Sequence, residues 1–238
     1  MSEPTHPVLR RATAEGIGTA TLVATVVGSG IMATRLSTDI GLQLLINALA
    51  TVAALAVLIW SLGPVSGAHF NPVVTLVSAS RRELAWSEAG LYAVAQVLGA
   101  VAGTVVAHLM YGLPAITAST HVRTGAGQWL GEVVATAGLL SLIGALTRTG
   151  NGRLGPALVP AWIGAAYFFT SSTSFANPAV TIGRSVTDSF SGIAPGSVLG
   201  FIAAQLVGAA LGAALTELFH PRTGIPEPLD LPAPVHDR

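Results

Sequence analysis

Two short stretches carry the residue types from which a site could be built: Asn71-Pro72-Val73 and Asn177-Pro178-Ala179, 106 positions apart. Proline suits the first turn of a helix, where its missing N–H costs nothing, so Asn71 and Asn177 read as the N-caps of short helices. A helix start offers unsatisfied N–H groups and the positive end of the helix dipole, and an asparagine amide adds uncharged donors. Such a combination holds the oxygen of a neutral molecule and repels a cation, hydronium included. It breaks no bonds. Nowhere do a nucleophile, a base and an orienting residue fall into a recognisable motif, so the chain is not expected to be an enzyme. There is no cysteine, and His108 and His121 lack ligand partners at a persuasive spacing, so neither a metal nor a cofactor is expected, and both histidines are read as interfacial.

Other residues recur in step with the two motifs. Glu15 and Glu132 stand 117 apart near the starts of two apolar segments, and Gln96-Val97-Leu98-Gly99 with Gly103 returns 109 positions later as Gln205-Leu206-Val207-Gly208 with Gly212. The glycines form small-xxx-small pairs that let helices approach closely. A glutamate inside an apolar segment is costly and pairs with polar groups.

The elements that must position these residues belong in a membrane. Charged residues make up 9% of the chain against 51% hydrophobic, with 27 Gly and a mean hydropathy of +0.67, whereas ordinary soluble domains carry about 25% charge. Apolar segments run at about 12–34, 41–62, 89–111, 129–147, 155–170 and 195–219, each near the ~20 residues a crossing helix needs. The two Asn-Pro stretches are too short to span and read as half-helices. Three crossings and one half-helix make each repeat, roughly 12–111 and 129–219, and an odd number of crossings sets the second repeat upside down relative to the first. The fold class is therefore all-α: six transmembrane helices plus two re-entrant half-helices whose N-termini meet near the midplane. A broken backbone is tolerated there only if it lines a cavity or is buried in protein.

All 11 basic residues are arginine. With the N-terminus inside, eight fall on the inner side (Arg10, Arg11, Arg81, Arg82, Arg148, Arg153, Arg222, Arg238) and three outside (Arg35, Arg123, Arg184). This predicts cytoplasmic termini in a multi-pass protein of the cell membrane, a bacterial inner membrane. Residues 1–11 form a short polar N-terminus and lack the features of a cleaved signal, so the first helix is expected to be retained. The tail, 220–238, is rich in proline and charge, which suits disorder. Nothing points to a nucleic acid.

Ser66-Gly67-Ala68-His69-Phe70-Asn71-Pro72-Val73-Val74-Thr75 closely resembles the first signature loop of the aquaporin and glycerol-facilitator family, and Phe175-Ala176-Asn177-Pro178-Ala179-Val180 resembles the second. The resemblance covers about 12–219. It implies a homotetramer in the bilayer with one pore per subunit, passive flow of water and small neutral solutes, and bracing of the signature loops by Glu15, Glu132 and His69. Most members carry arginine directly after the second Asn-Pro-Ala; here Val180 stands there and Arg184 lies four residues on. Arg184 is then either a displaced filter residue, the mark of a strict water channel, or a side chain snorkelling to the outer interface.

By family spacing, the second-helix filter position is Thr51 and the loop position is Ser174. The fifth-helix position has Ala165, Phe168 and Ser171 as candidates, because 164–177 is shorter than is usual in the family. A filter of Thr51, Ser174 and Val180, lacking both a bulky ring and a guanidinium, implies a wider pore that admits glycerol, urea or undissociated metalloid hydroxides such as arsenious acid. The run Asn177 to Arg184 with Asp188 and Gly192-Ile193-Ala194-Pro195 also looks like family members associated with arsenic resistance. Other classes are a secondary transporter, disfavoured by the lack of a carboxylate cluster for coupling ions, and a non-conducting structural tetramer.

Overall fold

The computed structural model describes residues 6–222. Its helices are α1 (Val8–Leu36), α2 (Ile40–Ser66), half-helix α3 (Pro72–Ser80), α4 (Trp86–Met110), α5 (Ala126–Arg148), α6 (Gly155–Phe169), half-helix α7 (Pro178–Arg184) and α8 (Pro195–Phe219), with no strand among the described residues. Both half-helices start on the expected proline, capped by Asn71 and Asn177. The expected tail, 220–238, lies almost wholly outside the described residues.

Five helices, α1, α2, α4, α5 and α8, are long and apolar enough to cross a membrane. The sixth crossing, α6, has 15 residues and follows a 3-10 turn at Gly152–Leu154. At 1.5 Å per residue, plus about 2 Å for each 3-10 residue, the pair reaches roughly 28 Å, close to the ~30 Å hydrocarbon core. The crossing is short because Thr170 turns extended (φ −101°, ψ 142°), sending the chain straight back toward Asn177. At the other end, α1 begins at Val8, so 8–11 are its first turn and not a free terminus. Arg11 in that turn is buried, and its guanidinium donates to Glu88 on α4 at 2.5 Å, which ties the turn to the bundle.

The inverted repeat is visible in the packing. α1 lies against α4 and α5 against α8 as the two most extensive helix pairs, with α2 and α6 facing one another. Glycine makes the close pairs possible. A Cβ on Gly99 or Gly103 would lie 2.2 Å from the Gly16 or Ala20 carbonyl oxygen; on Gly208 or Gly212 it would lie 2.6 or 2.5 Å from the Val133 or Ala137 oxygen. The outer surface is apolar, with Leu49, Trp60, Leu98, Leu199 and Leu218 all exposed, as a lipid-facing bundle requires.

Candidate functional site

Each half-helix is capped by its own asparagine and tied to the other. Asn71 Oδ1 accepts the Val73 N–H at 3.1 Å, and Asn177 Oδ1 accepts those of Ala179 and Val180 at 3.0 and 3.2 Å. The amide nitrogens cross over: Asn71 Nδ2 donates to the Ala176 carbonyl and Asn177 Nδ2 to the Phe70 carbonyl, both at 2.7 Å. A carboxamide has two N–H hydrogens, so each asparagine keeps one for a molecule in the cavity that both line. The two α-helical N-termini add their positive dipole ends at the same point.

This arrangement needs a backbone that non-glycine residues avoid. Ala68 and Phe70 before α3, and Thr173, Ser174 and Ala176 before α7, have φ between 47° and 60°, a left-handed conformation costing about 1 kcal/mol or more each. Two fully buried carboxylates hold it. Glu15 accepts from Ser66 Oγ (2.6 Å), His69 N (3.0 Å), Phe70 N (2.6 Å) and Gln96 Nε2 (2.9 Å). Glu132 accepts from Phe175 N (2.8 Å), Ala176 N (2.8 Å) and Gln205 Nε2 (2.6 Å). Gln96 and Gln205 also reach Thr75 and Thr181, four residues past each asparagine. His69 contacts the Thr75 hydroxyl at 3.1 Å. The glutamines were visible in the sequence only as marks of the repeat.

A cavity of about 300 Å³ runs past the paired asparagines. On the α7 side it is lined by Thr51, Tyr167, Ser174, Phe175, Val180 and Arg184, and on the α3 side, the inner side if the termini are cytoplasmic, by His69, Val74, Ser78, Arg81 and Thr147. Tyr167 corrects the fifth-helix assignment. Its hydroxyl lies 3.2 Å from Thr51 Oγ1 across the cavity. Phe168 is 56% exposed and points away, Ala165 is exposed, and the Ser171 hydroxyl donates to the Gly127 carbonyl instead. The stripe Val159, Ile163, Tyr167, at steps of four, was the available signal. A ring therefore lines the cavity beside Thr51, Ser174 and Val180, where those three residues alone gave none.

Arg184 does not snorkel. It is 3% exposed, its Nε donates to the Ser191 carbonyl, and its guanidinium carbon sits 3.3 Å from the centre of the Phe175 ring. Arg123 lies against the same ring at 5.3 Å while its Nε donates to the Gly192 carbonyl at 2.8 Å. Burial lowers the Arg123 guanidinium from its ordinary range. Both contacts have the geometry of cation–π pairs. His108 is buried, not interfacial: its ring nitrogens contact the Pro114 carbonyl and the Thr187 hydroxyl, each at 2.7 Å. Asp188 accepts the Thr120 N–H (2.7 Å) and hydroxyl (2.9 Å), which hold its carboxyl below the usual range, and lies 3.8 Å from His121. Among the described residues no cluster of three or more metal-ligating side chains occurs.

The family model described as Major intrinsic protein matches residues 3–175. The chain belongs to the major intrinsic protein family. Membership makes it a multi-pass membrane channel for water and small solutes. Among its relatives is "Aquaglyceroporin AqpS" of Rhizobium meliloti (strain 1021), 53% identical over 206 residues, which cover 87% of this chain and 88% of the relative. An aquaporin of Laccaria bicolor is 33% identical over 148 residues, covering 52% of this chain and 56% of the relative. The X-ray structure of the aquaglyceroporin from Plasmodium falciparum superposes with a TM-score of 0.63 at 20% identity, over 91% of this chain and 96% of that one. That last likeness concerns the fold alone.

Proposed function

We propose that the chain passively conducts water together with small neutral hydroxylated solutes, glycerol foremost and undissociated arsenious acid among them, as a homotetramer of the cell membrane with cytoplasmic termini. The observation that carries this reading is the pair of asparagine amides, each with one unspent donor, facing a cavity whose next positions are Val74 and Val180. A neutral hydroxyl entering that stretch exchanges water for amide donors at a net cost near zero per bond, since a typical exchange is worth only about 1 kcal/mol. A cation meets the positive ends of both helix dipoles with no counter-charge beside them and pays several kcal/mol in lost hydration. Beyond them, apolar valines accept the carbon face of a polyol. Flow follows the gradient, because Glu15 and Glu132 are engaged in bracing and are not open to coupling ions. The 53% identical relative is named as an aquaglyceroporin, which supports the wider solute range.

A stopped-flow panel of water, glycerol, urea and arsenite on one preparation of proteoliposomes tests the reading. Water, glycerol and arsenite are expected to exceed empty vesicles clearly; water alone doing so would reject the solute assignment. A second reading, a strict water channel with Arg184 as the filter, draws on the position of that guanidinium over Phe175 at the cavity wall. Under it, Arg184→Ala admits glycerol for the first time. Under the first reading, glycerol flux is already present and changes less than about tenfold, a barrier change under 1.4 kcal/mol.

A further inference from the structure

The inner end of the cavity holds a cation that has no partner among the described residues. Arg81 follows α3 directly, its backbone N–H closing the helix on the Val77 and Ala79 carbonyls, and its side chain lines the cavity beside Ser78 and Thr147. Among the described residues its guanidinium makes no hydrogen bond and has no carboxylate within 4 Å, and Nη2 is buried without a partner. Its neighbours differ. Arg148 pairs with Glu217, and Arg222 donates to the Arg81 carbonyl at 3.1 Å.

Charges of both signs face Arg81. Glu83, whose carboxylate accepts from the Ser78 hydroxyl at 3.1 Å, and Glu217 favour its cation, while Arg148 and Arg222 oppose it. Burial outweighs them all and lowers the guanidinium from its ordinary range. A partly desolvated charge without a partner is costly, and the group that relieves a guanidinium best is an oxyanion, whose paired oxygens match its fork of N–H donors.

We propose that the inner mouth is an oxyanion site: inorganic phosphate, or a tetrahedral oxyanion like it, docks on the guanidinium of Arg81 and obstructs the channel from that side, the nearby hydroxyls of Ser78 and Thr147 being already spent on Glu83 and on the Ile143 carbonyl. The inference rests on the cavity being the conducting path. Two charge-assisted hydrogen bonds from the guanidinium fork, made in competition with water, imply an affinity on the order of millimolar. The channel then slows when the compartment at its inner mouth is rich in oxyanion, without any moving gate.

The test compares phosphate with chloride at equal ionic strength and osmolarity in vesicles of phosphatidylcholine, each variant scaled to its own flux in chloride. Glycerol flux through the unaltered protein should fall about twofold when phosphate equals its dissociation constant. Arg81→Gln should abolish the difference and Arg81→Lys, which keeps the charge but loses the fork, should weaken it. Inside-out membrane vesicles should respond to external phosphate and right-side-out vesicles should not. Replacing part of the lipid with phosphatidylglycerol, without phosphate, tells whether a headgroup occupies the site instead: an Arg81-dependent slowing would give the same chemistry from a lipid. Independently of flux, phosphate should raise the unfolding temperature of the detergent-solubilised protein but not of Arg81→Gln. Vesicles that conduct equally in phosphate and chloride, with no thermal shift, overturn this inference alone; vesicles that do not conduct at all overturn the channel reading, while the thermal shift still reports on Arg81.

Discussion

Going outward from the paired asparagines, the two halves of the chain carry matching residues for one turn and different ones after it. Three residues past each asparagine stands a valine, Val74 or Val180, and four past stands a threonine, Thr75 or Thr181, bonded to the matching glutamine. Seven past, the first half has Ser78 and the second has Arg184. Near the midplane both halves meet the same constraint, a left-handed backbone that must be held in an apolar setting, and one carboxylate plus one carboxamide is the answer twice. At the mouths that constraint ends. The mouth on the α7 side receives Arg184 and Arg123 stacked on Phe175, and the mouth on the α3 side receives Arg81, with no ring stacked on it among the described residues. Inverted duplication thus preserves what the backbone demands and releases what the two compartments do not share.

Removing the braces tests the matched part and should have the largest effect. Glu132→Ala leaves the Phe175 and Ala176 N–H groups and the Gln205 amide without their acceptor, for an expected loss of about 3–5 kcal/mol. Glu15→Ala should cost at least as much, because Glu15 serves Ser66, His69, Phe70 and Gln96. Thermal unfolding in detergent and water flux in vesicles measure both. A variant that unfolds like the unaltered protein would show that one half holds its loop by other means.

Charge placed at the matched valines asks whether the halves are also equal in selectivity. Val180→Arg brings a guanidinium among Thr51, Tyr167 and Ser174, and glycerol flux is expected to fall about tenfold or more, near 1.4 kcal/mol of added barrier, with water less affected. Val74→Arg on the inner side lies away from Tyr167 and Thr51 and should lower both fluxes alike. Equal solute-to-water ratios in the two variants would place selectivity at the asparagines and not at the outer filter.

The smallest effect concerns the outer loops alone. The Thr120 N–H and hydroxyl hold the Asp188 carboxyl below its ordinary value of about 4. A carboxylate with a lowered folded pKa contributes stability above its unfolded pKa and loses it as pH falls through the folded one. Asp188→Asn should therefore lower the unfolding temperature slightly at neutral pH, and the gap to the unaltered protein should close below about pH 4. A gap that stays constant across that range would assign the effect to lost hydrogen-bond geometry and not to charge.

Much of this protein is legible in one dimension because its constraints are local or repeated. Six apolar segments give six crossings within a few residues at most ends, and Asn-Pro gives the start of each half-helix to the residue. The end at Val8 escaped because the pairing of Arg11 with Glu88 spans 77 positions. Glu15 and Glu132 could be singled out because an acid in an apolar run demands a partner; which partner was beyond the pattern.

What the sequence determined by itself, then, is the duplicated framework: membrane composition, inverted halves, capped half-helices and a neutral, donor-bearing midplane. These follow from period, length and the chemistry of single residues. Only the tertiary structure decided which ring faces the cavity, where the guanidinium of Arg184 rests and that each asparagine spends one N–H on the opposite loop. A residue one position along α6 points about 100° around the helix axis, so a shortened loop is enough to exchange Phe168 for Tyr167. Side-chain direction at a site built from two distant loops is fixed by their mutual packing, and no local pattern in either loop records it.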